Sequence, residues 1–256
     1  MKSVGLVLSG GGARCAAHLG VLKALDELDI KVSALSGVSG GAIVGALYAA
    51  GNSPDVILEV LKNIAYFGIA EFAWFKNGLF TMNALRNTLG DMIGRDNFED
   101  LKIPFYVTAT DITMGNSMVF SKGELFSMVV ASASIPVIFE PVLYDESQLV
   151  DGGILNNLPV EPLSGKCDVI IGCHVNKLYD GARVVGLSNI SMIEHCFHLA
   201  IGDKVMQNSK LCDLFIEPLL ASYRMFDMKH ADDIFKVGYH AAMDQKESLL
   251  HITGLK

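Results

Sequence analysis

The chain reads as an α/β protein built on a mostly parallel central sheet with helices on both faces. Three observations predict this. Short apolar runs of strand length alternate with stretches whose apolar residues recur every three to four positions. One run, "DVIIGCHV" from Asp168, is apolar almost throughout, as a strand buried on both faces must be. Glycine-rich turns follow the first two strand-like runs and open into helical patterns, which is the order of parallel strand–helix units.

The elements follow in order. "VGLVL" from Val4 is the first strand, and from Ala13 to Leu28 apolar residues recur at Ala17, Val21, Ala24, Leu25 and Leu28, a helical period. "KVSAL" from Lys31 is the second strand. "GGAIVGALYAAG" from Gly40 is a helix closed by Gly51. The middle of the chain is less regular until "PFYVTAT" from Pro104, a strand, and "GELFSMVVASAS" from Gly123, a helix. After the strand "DVIIGCHV" come a helix over residues 187–208, a strand "LFIEP" from Leu214, and one final amphipathic helix, "DDIFKVGYHAAMDQKESLL" from Asp232. No Pro-, Ser- or charge-rich linker interrupts the order, so one domain is expected over residues 1–256.

Hydrophobic residues make up 51% of the 256 positions against 19% charged, enough for a substantial core and too many for a disordered chain. Basic residues number 20 and acidic ones 28, a net charge of −8, which argues against nucleic acid as a partner. It also leaves any peripheral membrane contact to apolar side chains rather than to charge. The opening apolar run is cut by glycines and followed by an arginine, so it reads as a buried strand rather than a signal peptide. No uninterrupted apolar stretch reaches the roughly 18 residues of a membrane span, since the richest window is broken by Pro136 and Pro141. Five cysteines, an odd number without a CxxC pair, read as thiols of a reducing cytoplasm.

Chemistry is expected at the carboxyl ends of the first two strands, where open α/β sheets place their functional crevice. "GVSGG", Gly37 to Gly41, fits G-x-S-x-G between a strand and a helix. A sharp turn there presents the Ser39 hydroxyl outward, and the free amides of the following helix favour negative charge beside it. The competing reading is a small-residue turn that lets helix and sheet pack closely; the strand–turn–helix context favours the functional one. "GGGARC", Gly10 to Cys15, begins like a dinucleotide fingerprint, but position 15 is Cys and no carboxylate ends the second strand. The Gly-Lys-Ser/Thr of a phosphate-gripping loop is absent too. An oxyanion hole needs only backbone N–H groups converging on a developing alkoxide. No cofactor and no metal is expected. Arg14 has three readings: a brace for the loop, a phosphate contact, or an ordinary salt bridge.

A serine hydroxyl needs a base. His18, in the first helix, reads as packing. His195 and His198 lack the further ligands that a metal site needs, and His230, His240 and His251 have no motif context. His174 completes the chain order Ser39, Asp151, His174 of hydrolase triads, yet it lies in a strand or at its end rather than on a loop. Asp151, in "LVDGGILNNLP", closes an apolar stretch and is followed by Gly152 and Gly153. Held on that tight turn against a serine, its carboxylate can accept the proton directly if burial raises its proton affinity. An ordinary Asp-Gly turn has the same sequence. Asp111 reads as a turn cap. The aromatic stretch Ile64 to Phe80 fits an acyl-chain lining or plain core, and "YRMFDMKH" from Tyr223 fits a lipid contact or a packed loop.

Taken together, "GGGAR", "GVSGG" and "DGG" in that order, with "ASASIPVIFEPV" from Ala131, "NNLPV" from Asn156 and the closing "DDIFKVGYHAA", resemble the patatin-like phospholipase family over almost the whole chain. The resemblance implies a three-layer α/β/α fold and hydrolysis of lipid acyl esters by a Ser–Asp dyad without histidine. Carried over by position, it makes Ser39 the nucleophile and Asp151 the base. It assigns the oxyanion hole to the amides of Gly10, Gly11 and Gly12, the serine turn to Gly37, Gly40 and Gly41, and the base turn to Gly152 and Gly153. The implied partner is a lipid or acyl-ester substrate, cleaved as by a phospholipase, lysophospholipase or esterase. The alternatives are a non-catalytic lipid- or acyl-binding protein that keeps the pocket, and a nucleotide-binding oxidoreductase. One departure stands out: the family's glycine loop usually carries Gly after its Arg, and here Cys15 brings a side chain able to tilt the loop or narrow the pocket.

Overall fold

A computed structural model describes residues 2–72, 79–177, 189–225 and 227–255. Among these, eight strands form one sheet: β1 (Val4–Leu8), β2 (Val32–Val38), β3 (Phe105–Asp111), β4 (Asn116–Phe120), β5 (Val142–Tyr144), β6 (Ser147–Asp151), β7 (Val169–Cys173) and β8 (Leu214–Ile216). Their order is β5-β6-β3-β2-β1-β7-β8, with β4 also paired to β3. β1 runs parallel to β2 and β7, as do β2 to β3 and β7 to β8. The pairs β3–β4, β3–β6 and β5–β6 are antiparallel.

The helices are α1 (Ala16–Glu27), α2 (Gly40–Ala49), α3 (Pro54–Phe72), α4 (Leu79–Ile93), α5 (Leu125–Ser132), α6 (Asn189–Ser209), α7 (Ala231–Met243) and α8 (Lys246–Thr253). Successive strand residues point to opposite faces, and the core divides accordingly. Leu6 and Leu8 of β1 join Leu19 and Leu22 of α1, Leu47 of α2 and Leu125 of α5 in the larger cluster. Val7, between them, joins Ala34 and Ile170 with Leu158, Val160, Leu163 and Val205 of α6 in a smaller one. The expected three layers are thus present. All five residues of β1 and of β7 are buried, which is why neither run alternates. Each such leucine taken fully out of water contributes about 1.5–3 kcal/mol. α1 and α7 touch backbone to backbone, since a Cβ on Gly238 would collide with the Ala17 carbonyl oxygen.

Three features depart from the sequence reading. The irregular middle before Pro104 holds α3 and α4, and β4 and the β5–β6 hairpin, short and partly exposed, stand where the sequence reading places no strand. The closing helix is two helices, α7 and α8, with the break at Asp244 and Gln245, where no glycine or proline announces it. β7 stops at Cys173, leaving His174 beyond the strand. No helix among the described residues is long and apolar enough to cross a membrane. Of the aromatic stretch Ile64 to Phe80, residues 73–78 and the side chains of the rest lie outside the described residues.

Candidate active site

β3 takes β2 along its first half and β6 along its second, on the same edge. Val38, the last residue of β2, pairs with Thr108, and Asp151, the last of β6, pairs with Ala109. The turn after β2 and the end of β6 therefore meet head-on. Ser39 sits at that turn with φ 54° and ψ −128°, a conformation costing a non-glycine residue on the order of 1–3 kcal/mol. It is held there because the Ser39 N–H donates to Ser132 Oγ at 2.9 Å, and Ser132 Oγ donates to the Thr108 carbonyl at 2.6 Å.

Ser39 Oγ donates to Asp151 Oδ2 at 2.5 Å, a length typical of a hydroxyl on a charged acceptor. The other carboxylate oxygen accepts the Gly153 N–H at 2.8 Å, and the Asp151 N–H donates to the Ser134 carbonyl at 2.9 Å. Ser39 is 7% exposed and Asp151 5%. Burial pushes the Asp151 carboxyl up to about 6, against the opposing pull of the hydrogen bonds from Ser39 and Gly153.

The glycine loop after β1 stands against this pair. A Cβ on Gly10 would lie 2.9 Å from Ser39 Cβ and 2.6 Å from Asn157 Oδ1. The Gly10 N–H donates to Asn157 Oδ1 at 3.1 Å, while its carbonyl accepts Asn176 Nδ2 at 2.6 Å and Ser9 Oγ at 3.0 Å. The N–H groups of Gly11 and Gly12 meet no acceptor among the described residues. Close approach explains the serine-turn and base-turn glycines. A Cβ on Gly41 would be 2.5 Å from the Leu8 and Ser9 carbonyl oxygens, one on Gly37 would be 2.6 Å from the Gly41 carbonyl oxygen, and one on Gly152 would overlap the Thr108 carbonyl oxygen. Cys15 is buried, and a Cβ on Gly40 would lie 2.5 Å from its Sγ. The thiol fills the space between the glycine loop and the first turn of α2.

Arg14 braces the loop. Its Nε donates to the Tyr223 carbonyl at 2.8 Å, Nη1 donates to Asn176 Oδ1 at 3.1 Å, and Nη2 pairs with Glu194 Oε1 at 2.9 Å. The segment from Tyr223 packs on the loop as well, for the Ala13 N–H donates to the Met225 carbonyl at 2.6 Å. His18 is buried with Nε2 2.8 Å from the Ser9 carbonyl oxygen, and burial pushes its imidazolium down to about 4. His174 pairs through Nδ1 with Glu217 at 2.9 Å. Its strand, β7, is separated from β2 by β1, a lateral offset of roughly 10 Å, so His174 is not brought to Ser39. Asp111 caps its turn by accepting the N–H groups of Thr113 and Met114. Sequence reasoning missed the supporting groups Ser132, Ser134, Asn157 and Asn176. The first three lie in "ASASIPVIFEPV" and "NNLPV", whose resemblance was visible without their roles; Asn176 carries no signal of its own.

A model of the patatin-like phospholipase family matches residues 6–164. The chain belongs to that family. Among curated relatives, neuropathy target esterase of Drosophila melanogaster is 34% identical over 168 residues, covering 62% of this chain and 12% of the relative. The Drosophila persimilis counterpart is 33% identical over 166 residues, with the same coverage. The chain thus spans about an eighth of the length of these relatives. Among solved structures, human GIVD cytosolic phospholipase A2 superposes with a TM-score of 0.56 at 11% identity, over 99% of this chain and 60% of that one. VipD from Legionella pneumophila gives 0.55 at 15% identity, over 97% and 67%. These two likenesses establish the shared patatin-type fold.

Proposed function

We propose that this member of the family is a serine acyl hydrolase of lipid esters, with Ser39 as nucleophile and Asp151 as its base. The observation that carries the reading is the 2.5 Å hydrogen bond from Ser39 Oγ to a buried carboxylate of raised proton affinity. Asp151 takes the Ser39 proton as Oγ attacks the ester carbonyl. The charge that develops on the carbonyl oxygen is met by glycine-loop amides. Gly11 and Gly12 supply them, while Gly10, whose N–H goes to Asn157, supports the hole from its place beside Ser39. The N-terminus of α2 adds favourable potential. Collapse of the tetrahedral intermediate breaks the ester bond, the alcohol leaves with the proton from Asp151, and the acyl group remains on Ser39. Asp151, again a carboxylate, then deprotonates a water that attacks the acyl carbonyl. The fatty acid departs and Ser39 recovers its proton. No histidine enters the cycle.

Family membership and the esterase named among the relatives support a fatty-acyl ester as substrate, handled as by a phospholipase A, a lysophospholipase or an esterase. Peripheral contact with a lipid surface belongs to the same proposal. Val137 is fully exposed three residues beyond Ser134, whose carbonyl accepts the Asp151 N–H, and Leu155 is exposed four residues beyond Asp151, so apolar side chains reach solvent close in sequence to the segments that hold Asp151. The test is hydrolysis of a panel of acyl esters and lysophospholipids by the parent and by Ser39→Ala, with fluorophosphonate labelling of each. The variant is expected to lose about 10⁴-fold or more, and only the parent should be labelled. Equal turnover by the variant overturns the proposal. A parent protein that neither takes the label nor turns over any ester favours the acyl-binding alternative.

A further inference from the structure

Asn176 follows β7, with β1 between it and the serine turn after β2, and lies outside the residues matched by the family model. It is 5% exposed, and both ends of its amide are engaged. Oδ1 accepts Arg14 Nη1 at 3.1 Å, and Nδ2 donates to the Gly10 carbonyl at 2.6 Å. The amide has only one workable orientation, because turning it over would set NH₂ against a guanidinium and oxygen against a carbonyl. Arg14 is itself fixed by Glu194 and the Tyr223 carbonyl. A rigid chain of contacts therefore ends on the Gly10 carbonyl oxygen.

That oxygen sets the direction of a neighbouring donor. In a trans peptide the C=O of one residue and the N–H of the next point in opposite directions. β1 stands between β7 and β2. Asn176 follows β7, so it draws the Gly10 carbonyl toward the β7 side, and the Gly11 N–H must face the β2 side, where Ser39 stands. Asn157 secures the preceding peptide unit by accepting the Gly10 N–H at 3.1 Å. We infer that Asn176 is a positioning residue for the oxyanion hole, aiming the Gly11 amide at the oxygen of the ester attacked by Ser39. The inference rests on the hydrolase reading above and deepens it.

Loss of one oxyanion donor outright costs about 10²–10³ in rate, and a misaimed donor should cost less. Asn176→Ala is expected to lower kcat about 10–100-fold with KM within about threefold. The inhibition constant of an acyl trifluoromethyl ketone, which forms a tetrahedral adduct on the serine, should rise in proportion to the loss in kcat/KM. Asn176→Asp keeps the volume and the pairing with Arg14 but cannot donate to the carbonyl, so it should lose comparably, and it decides the matter if the alanine variant does not fold. A merely structural asparagine would lower the melting midpoint and leave the ketone's inhibition constant at the parent's value. The inference is overturned if either folded variant keeps kcat within threefold of the parent, or if kcat falls with no change in ketone affinity. Should Ser39→Ala match the parent in the same assays, the hydrolase reading fails and takes this one with it. Loss in Ser39→Ala with full activity in the Asn176 variants removes this one alone.

Discussion

Asp111 ends β3 and Asp151 ends β6, and because these strands pair antiparallel the two carboxylates lie two rungs apart at one corner of the sheet. Both are nearly out of water, at 2% and 5% exposure. Asp111 accepts the Ser147 hydroxyl and the N–H groups of Met114 and Thr113, and these hold its carboxyl below the usual range. Asp151 accepts one backbone N–H and the hydroxyl of Ser39, too few to offset burial, and its carboxyl rises to about 6. Burial alone does not make a base. Asp151 lies deeper in the protein, so depth and the number of donors together separate a carboxylate that fastens a turn from one that takes up a proton.

The largest effect expected is on rate. Asp151→Asn should lower kcat/KM by about 10⁴-fold, since an amide cannot receive the Ser39 proton. Asp111→Asn should keep turnover within about threefold, because none of its three partners touches Ser39. His174→Ala belongs in the same experiment: with its ring held by Glu217 it too should stay within threefold. Steady-state hydrolysis of a short acyl ester measures all three. If the Asp111 variant fell as far as the Asp151 variant, the contrast would be lost. If the His174 variant did, a triad would replace the dyad.

The next effect is smaller and sharpens the contrast. Only ionised Asp151 can act as base, so kcat/KM should fall about tenfold for each pH unit below about 6. Asp111→Asn should leave that limb where it is. A limb near 4 in the parent would mean that Asp151 is as well supplied with donors as Asp111, and the difference drawn between them would collapse.

How much of this was legible beforehand follows the same line. Ser39 and Asp151 stand in glycine-bracketed motifs because each turn must let a backbone come close, and sequence records that need as Gly37, Gly41, Gly152 and Gly153. β1 and β7 were readable because burial on both faces forces continuous apolar runs, and β2 because Val32, Ala34 and Leu35 run into a glycine-rich turn. The β5–β6 hairpin was not, although it is what carries Asp151 to Ser39. Its strands are three and five residues long and partly exposed, so no periodicity builds up. Asn157 and Asn176 escaped for another reason. Their work is to hold a distant backbone, and an asparagine that does so has the same sequence appearance as one in any loop.

The smallest effect concerns stability and should differ in sign between the two aspartates. A carboxyl whose folded value is raised adds stability below its unfolded value near 4, and that stability is lost as pH rises through the folded value. For Asp151 the window runs from about 4 to about 6, so at pH 7.5 the parent carries the full penalty of a buried charge. Asp151→Asn should therefore be more stable there by roughly 2–3 kcal/mol, or about 5 °C in Tm, while being inactive. At pH 4 the parent's carboxyl is largely protonated and the two melting curves should nearly coincide. Asp111, held below its ordinary value, contributes stability above about 4 that is lost as pH falls through its lowered value, so Asp111→Asn should melt below the parent at pH 7.5. Thermal unfolding of the three proteins at both pH values is the measurement. An Asp151→Asn variant that melts below the parent at pH 7.5 would mean that its two hydrogen bonds outweigh its burial.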